Sequence, residues 1–317
     1  MSESTTPVVQ LQPRQPKRRL PPWIRTTVPG GGEYARLKEL LRTKKLATVC
    51  EEARCPNVSE CWSGGTATVM LLGEVCTRGC RFCAVKTAKR PPAPDPDEPE
   101  HLAEAISELG LRYVVLTMVD RDDLDDGGAD HVGRAVEALA RRVPDLLVET
   151  LVSDFRGDRA AIERLVRARP AVFAHNVETV EALTARVRDP RCGYRQTLEV
   201  LEHAKRAGEA ARAADSNLPE MLTKTSIMLG LGETQADLER TFADLRGVGV
   251  DVLTLGQYLR PTQKHLAVEE FVTPERFAEL GDVARSHGFA YVASGPMVRS
   301  SYRAAELFLE RWLRGQG

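Results

Sequence analysis

Short apolar runs alternate along most of the chain with stretches in which apolar positions recur every three or four residues. The runs Thr66–Leu72, Tyr113–Met118, Leu146–Leu151, Val172–His175, Leu222–Leu229 and Val252–Gln257 are short and rich in β-branched residues, which predicts strands. Helical spacing predicts helices near Glu98–Leu109, Asp130–Arg141, Arg159–Ala168, Gly193–Arg206 and Gln235–Val248 between them, with Pro274–His287 after the sixth strand. Strands joined by crossover helices describe a parallel sheet. Six such repeats are compatible with a partial (β/α) barrel and with a doubly wound open sheet, since both alternate in the same way. Leu37, Leu40 and Leu41 predict one more helix, Tyr34 to Leu46, ahead of the first strand.

In either architecture ligands gather at the carboxyl ends of the strands. The polar, glycine-containing stretches fall there: Cys76–Cys83 after the first strand, then TMVDRDD, ETLVSDFRG, HNVET and IMLGLGET. Before the body, residues 1–29 are rich in Pro, Gln, Ser and Thr around a basic knot at Lys17, Arg18 and Arg19, and read as a disordered or extended tail. Its prolines leave little room for the amphipathic helix of an organelle import signal.

Composition narrows the function classes. A chain of 317 residues buries a sizeable core, and 44 basic against 45 acidic side chains leave a net charge of -1 with no footprint for a polyanion. No nucleic-acid partner is expected. No apolar run is long enough to cross a bilayer and no secretory signal core is visible, so the expected location is cytoplasmic.

Six of the seven cysteines fall between Cys50 and Cys83, as two triplets. Cys50, Cys55 and Cys61 follow CxxxxCxxxxxC; Cys76, Cys80 and Cys83 follow CxxxCxxC. Closely spaced thiolates are soft donors suited to iron–sulfur clusters. Zinc sites usually close four ligands in paired units, and disulfides are rare in reducing compartments. Three cysteines without a fourth protein ligand leave one iron open to substrate, the mark of a reactive cluster rather than an electron-transfer one.

CTRGCRFC resembles the cluster motif of the radical S-adenosylmethionine superfamily, and CEEARCPNVSECW resembles the second-cluster motif of the lipoyl synthase family within it. Arg299, Ser300, Ser301 and Tyr302 match that family's RSSY motif, LPPWIR matches the lead into its body, and the likeness runs from Trp23 to Tyr302. The resemblance implies a partial (β/α)6 TIM-like barrel over residues 66–288. It also implies an N-terminal extension over 30–65 with the auxiliary-cluster cysteines and a C-terminal extension over 289–317 with RSSY. Two 4Fe-4S clusters and S-adenosylmethionine are implied as cofactors. The implied reaction is insertion of two sulfur atoms at C6 and C8 of an octanoyl chain carried on a lysine. An unactivated C–H bond has no acidic proton, so a radical must open it. Implied partners are octanoylated lipoyl-carrier domains, of 2-oxoacid dehydrogenases and of the glycine cleavage system, and a reductant such as flavodoxin or ferredoxin. Another sulfur-inserting or methylthiolating radical enzyme, and a two-cluster electron carrier, are the competing readings.

By the same resemblance Cys76, Cys80 and Cys83 hold the reactive cluster, and Cys50, Cys55 and Cys61 the sulfur-donating one. In the cofactor pocket, Phe82 lies against adenine or simply packs. Thr117 and Asp120 hold the amino group, and Asn176 and Glu178 contact the methionine part or the ribose. Gly230 and Gly232 admit close backbone approach, or only turn the chain. The auxiliary cluster's fourth ligand is expected to be a serine oxygen. The residues alone do not choose between Ser300 and Ser301, the resemblance points to Ser301, and both also suit a helix N-cap. The family's KSGIMLGLGE is replaced here by Lys224-Thr225-Ser226-Ile227, and Glu209–Pro219 lengthens the connection before it.

Several other residues are expected to be inert. Cys192 stands apart from both triplets in a turn, DPRCGY, and reads as an isolated thiol. Asp120, Asp122, Asp123, Asp125 and Asp126 read as a turn with one or two working members rather than a calcium site. His131, His203, His265 and His287 are expected at the surface, whereas His175, at a strand end, is placed to line the site.

Overall fold

A computed structural model of the protein describes residues 20–24, 35, 39, 42–44, 46–48 and 68–301. All of the tail but residues 20–24, the first cysteine triplet and Tyr302 lie outside the described residues. Of the helix expected from Tyr34 to Leu46, residues 35, 39, 42 and 43 are described and helical.

Eight strands form one sheet: β1 (Ala47–Thr48), β2 (Thr68–Leu71), β5 (Tyr113–Met118), β6 (Leu147–Leu151), β7 (Val172–Ala174), β8 (Leu222–Leu229), β9 (Val252–Gln257) and β10 (Tyr291–Gly295). β3 (Val75–Cys76) and β4 (Lys86–Thr87) form a separate parallel pair. Each of the six expected strands is present. A seventh parallel strand, β10, pairs with β9 beyond position 288, and β1 adds an antiparallel edge to β2. The sequence pattern hid β10 because its five residues, YVASG, carry little apolar weight.

The order of the sheet resolves the choice left open by the alternation. Strands β2 and β5 to β10 lie side by side in chain order, so every crossover steps the same way. A doubly wound sheet reverses direction at a switch point; here the strand order never reverses, and successive helices pack on one another as crossovers of one hand require. The helices are α1 (Glu98–Leu109), α2 (Ala129–Arg142), α3 (Arg159–Arg167), α4 (Glu181–Val187), α5 (Tyr194–Ala214), α6 (Gln235–Gly247) and α7 (Pro274–Ser286). α1 packs on α2, α2 on α3 and α3 on α5. This is a partial barrel whose end strands, β1 and β10, do not pair with each other. α5 outruns its expected end at Arg206 because the alanine-rich continuation to Ala214 is strongly helix-forming, while α4 was not expected.

Strand alternation separates two cores. Val114 and Leu116 of β5 join Leu102, Ile106, Val132, Val136 and Leu139 beneath the helices. Tyr113 and Val115 turn the other way and meet Val172, Leu222 and Val252. The same interior holds a buried ion pair, Lys224 Nζ to both Glu149 oxygens at 2.9 and 2.8 Å, with the Tyr113 hydroxyl donating to Glu149 at 2.5 Å. Removing one partner of such a pair costs about 3–5 kcal/mol. A fully satisfied polar group therefore closes one end of the barrel interior, and the carboxyl ends of the strands are left for the site.

Candidate active site

A cavity of about 520 Å³ is lined by residues at the carboxyl ends of the strands. Cys76, Cys80, Cys83, Phe82, Thr117, Asp120, Asn176, Glu178, Ser300 and Ser301 all line it. Gly230 and Gly232 do not. Both have positive φ, 93° and 101°, and the Gly230 and Leu231 amides donate to the Glu233 carboxylate at 2.6 and 3.0 Å. A Cβ at Gly230 would collide with the Glu270 carbonyl oxygen and the Gln257 amide. The backbone that approaches this glycine is the protein's own.

The cysteine loop starts from β3 and returns through β4, with Cys76 opposite Thr87 in the pairing. Its three thiols are free and half-buried. Burial, then the nearby Asp120 carboxyl, pushes the Cys76 thiol up to about 12, and burial raises Cys83. A hydrogen bond with Cys192, then burial, raises Cys80. The metal-free thiols are therefore protonated near neutral pH, and binding a thiolate-requiring group releases their protons.

Polar bonds lace this loop to its neighbours. Thr77 N–H donates to the Asp120 carbonyl at 2.9 Å, Gly79 N–H to the Asp189 carboxylate at 2.8 Å, and Asp189 N–H to the Cys80 sulfur at 3.3 Å. Arg78, 3% exposed, is gripped by Asp122 and Asp154. Burial opposes ionisation of Asp122 and Asp154, but the hydrogen bonds from Arg78 outweigh it and hold both below the usual carboxylate range. Asp120 is different: burial lifts it above that range despite the Arg78 charge. Within the acidic run, Asp120 lines the cavity and Asp122 grips Arg78, while Asp123 pairs with Arg121 and Asp126 caps the start of α2.

On the opposite wall, Glu178 holds a left-handed backbone, φ 67°, fixed by its N–H to the Ser226 carbonyl and by its own carbonyl accepting from Met228. Backbone strain held this firmly in a non-glycine residue is a frequent property of functional positions. Burial raises the Glu178 carboxyl, with Arg188 partly offsetting it, and Asn176 donates to it at 3.2 Å. Behind them runs a chain of bonds: Arg188 to the Thr197 hydroxyl at 2.8 Å, that hydroxyl to His175 Nε2 at 3.2 Å, and His175 Nδ1–H to the Val152 carbonyl at 2.8 Å. Burial, then the Arg188 charge, depresses His175 to about 4, so it is neutral.

The C-terminal segment reaches the same cavity because Gly256 has no side chain: a Cβ there would collide with the Val298 carbonyl oxygen. This close approach of the turn to β9 sets Arg299, Ser300 and Ser301 at the cavity's edge.

A family model for the radical SAM superfamily matches residues 70–245, and a model for the N-terminal domain of lipoyl synthase of the radical SAM family matches residues 3–55. The lipoyl synthase of Anaeromyxobacter dehalogenans (strain 2CP-C) is 59% identical over 289 residues, covering 91% of this chain and 95% of that protein. The chain belongs to the lipoyl synthase family. Mitochondrial lipoyl synthase of Danio rerio is 56% identical, covering 93% of this chain and 73% of that one. For chloroplastic lipoyl synthase of Arabidopsis thaliana the figures are 54%, 95% and 75%. Among solved structures, Streptococcus suis SuiB bound to S-adenosylmethionine has a TM-score of 0.55 at 10% identity, covering 75% of this chain and 54% of that one. The [FeFe]-hydrogenase maturase HydG has a TM-score of 0.52 at 12% identity, covering 90% and 69%. These two share the fold.

Membership of the superfamily brings a 4Fe-4S cluster and S-adenosylmethionine. As a lipoyl synthase family chain, this one carries features that its sequence did not reveal. Arg188, 6% exposed, lines the cavity, and its Nε has no partner among the described residues. Ser226 sits on the cavity wall where the family pattern expects glycine. Cys192 does not stand apart in space: it is buried, lines the cavity and touches Cys80. All four histidines expected at the surface are at least partly covered: His203 is half-buried beside Glu163 and His287 against the Phe242 ring. His131 is 6% exposed against Glu98, because α2 turns it onto α1. His265 is half-buried and donates to the Cys83 carbonyl at 2.9 Å, because the loop after β9 folds over the cysteine loop.

Proposed function

We propose that this chain performs the lipoyl synthase reaction, inserting two sulfur atoms at C6 and C8 of an octanoyl chain held on a lysine of a carrier protein. One observation carries the reading: the CxxxCxxC thiols and the serine pair of RSSY face a single cavity. The same lining offers polar groups suited to a cofactor and apolar ones, among them Met70, Met118, Val119 and Met228, suited to an acyl chain.

In this reading Cys76, Cys80 and Cys83 hold a 4Fe-4S cluster, and Cys50, Cys55, Cys61 and Ser301 hold a second. The donor set fits, since soft thiolates suit iron and three on one loop leave a coordination position free. When bound, the clusters supply the electron that cleaves S-adenosylmethionine and the sulfur that enters the product. The remaining work is positioning and exclusion of water. Thr117 and Asp120 receive the cofactor's amino group, Asn176 and Glu178 its ribose or methionine part, and Phe82 offers a ring to adenine from its packing against Val187, Leu231 and Tyr258. Arg188 is assigned the carboxylate. Gly230 and Gly232 serve by shaping the turn behind this wall. We assign the catalytic barrel to residues 66–295, past the expected end at 288 because β10 belongs to its sheet, residues 30–65 and 296–317 to the extensions that complete the auxiliary site, and residues 1–29 to a tail. Octanoylated carrier domains of 2-oxoacid dehydrogenases and the glycine cleavage system are the proposed substrates, a flavodoxin or ferredoxin the reductant, and the cytoplasm the location.

The test is anaerobic turnover of the reconstituted protein with an octanoyl-lysyl peptide, reductant and S-adenosylmethionine, read by mass spectrometry. A peptide bearing two sulfur atoms, together with 5′-deoxyadenosine, is expected. A protein that makes no 5′-deoxyadenosine would be an electron carrier. One that makes it and adds a methylthio group would belong to a different branch of sulfur insertion.

A further inference from the structure

Arg78 occupies one of the unassigned positions of CxxxCxxC, between Cys76 and Cys80. Its neighbours Gly79 and Arg81 are exposed, but Arg78 is 3% exposed and its side chain leaves the loop for the protein interior. Nε donates to Asp122 Oδ2 at 2.9 Å and Nη2 to Asp122 Oδ1 at 2.7 Å; Nη2 also donates to Asp154 Oδ1 at 2.8 Å and Nη1 to Asp154 Oδ2 at 2.7 Å. Nη1 turns its other hydrogen to the Cys192 sulfur, 3.3 Å away. All five N–H groups of a guanidinium are used, four in two fork-like grips on carboxylates. Asp122 follows β5 and Asp154 follows β6, so this one side chain fastens the cysteine loop to the ends of two successive barrel strands.

We propose that Arg78 is a positioning residue for the reactive cluster: gripped by Asp122 and Asp154, it fixes the Cys76–Cys83 loop in its cluster-receiving shape before any metal is bound. The inference rests on the reading that this loop holds a 4Fe-4S cluster. Ordering a free loop costs backbone entropy at every residue, and a loop already fastened does not meet that cost when the cluster binds. Groups behind the ligands typically change metal affinity about 10- to 100-fold. Lysine cannot take over, because a single ammonium cannot make two planar grips at once.

Arg121 provides the matching control. It is 1% exposed and grips Asp123 at 2.9 and 2.8 Å and the Leu72 carbonyl at 3.1 Å, but it makes none of these bonds to the cysteine loop. The full-length chain, reconstituted anaerobically with ferrous iron and sulfide, would be challenged with an iron chelator. The readout is decay of that part of the reduced protein's EPR signal which responds to S-adenosylmethionine. Arg78→Lys should lose this signal about tenfold faster than the unsubstituted chain or more, and Arg121→Lys should not, with far-UV circular dichroism and melting of both metal-free variants compared. Arg78→Met is the harsher change and leaves Asp154 buried without its cation, so Arg78→Lys, which keeps the charge, is the deciding variant. Equal decay in Arg78→Lys and the unsubstituted chain, or equal acceleration in Arg121→Lys, overturns the proposal. If the unsubstituted chain itself shows no response to S-adenosylmethionine, the underlying functional reading fails first.

Discussion

The sulfur atoms of Cys80 and Cys192 lie 4.0 Å apart across 112 positions of sequence. A disulfide bond is about 2.05 Å long, so the two sulfurs have about 2 Å to close. A hydrogen bond from Cys80, with the Arg188 and Arg78 charges behind it, holds Cys192 below the usual thiol range, which makes it the more reactive partner. Peroxide would oxidise Cys192 to a sulfenic acid with release of water, and attack by Cys80 would release a second water and close the disulfide. We expect metal-free protein treated with peroxide to yield a Cys80–Cys192 cross-linked peptide and to refuse iron until a thiol reductant is added. Cluster-loaded protein should be protected, because Cys80 is then a ligand. Peptide mapping that finds Cys80 linked elsewhere, or unlinked, would dismiss the prediction.

This pair also separates what is local in the sequence from what only folding brings together. The cysteine spacing is local, so Cys76, Cys80 and Cys83 were legible at once, as were strands whose apolar runs are long enough to be distinctive. Cys192, Arg188 and His265 gain their meaning only when separate loops fold together, and no periodicity encodes that. Gly230 and Gly232 show why a short motif says little by itself: Gly-x-Gly reports a turn, and Glu233 closes that turn by accepting from the Gly230 and Leu231 amides. The direction of the crossovers was equally silent. It is a property of strand order, and β10 has too few apolar residues to announce itself.

His175 should make stability depend on pH. Its native value, about 4, lies below its ordinary 6.5, so between these values the unfolded chain binds more protons than the folded one. Stability therefore rises with pH across that window and is lost as pH falls from 6.5 toward 4. The whole effect is roughly 3 kcal/mol. Denaturant titrations of the metal-free protein across this range should show the fall, and His175→Gln should flatten it relative to the unsubstituted chain. Parallel slopes in the two proteins would remove His175 as the cause.

Gly256→Ala tests whether the serine pair must sit at the cavity. The added methyl group meets the Val298 carbonyl, so the turn carrying Ser300 and Ser301 has to move, at a cost of about 1–3 kcal/mol. The cysteine loop is fastened elsewhere and should keep its iron. We expect cleavage of S-adenosylmethionine to continue while sulfur-bearing product falls away. If product and 5′-deoxyadenosine fall in the same proportion, the displaced turn acts on the whole cavity and not on the auxiliary site.

Arg188 offers the sharpest test of where the cofactor lies. Its guanidinium is buried at the cavity wall, it donates to the Thr197 hydroxyl at 2.8 Å and more weakly to the Val177 carbonyl at 3.5 Å, and neither partner is a carboxylate. Its Nε has no partner among the described residues. A buried cation that is short of acceptors is costly to keep, and a ligand carboxylate would meet that need. A hydrogen bond to a charged group contributes about 1.5–3 kcal/mol, so Arg188→Gln should weaken S-adenosylmethionine binding roughly 10- to 100-fold while iron content is unchanged. Loss of affinity alone would also follow from a collapsed wall, so the comparison needs a second ligand. Decarboxylated S-adenosylmethionine lacks the group that Arg188 is assigned to bind. It should bind Arg188→Gln and the unsubstituted protein with similar affinity in an EPR titration of the reduced cluster. If the substitution weakens both ligands equally, Arg188 shapes the wall without touching the carboxylate.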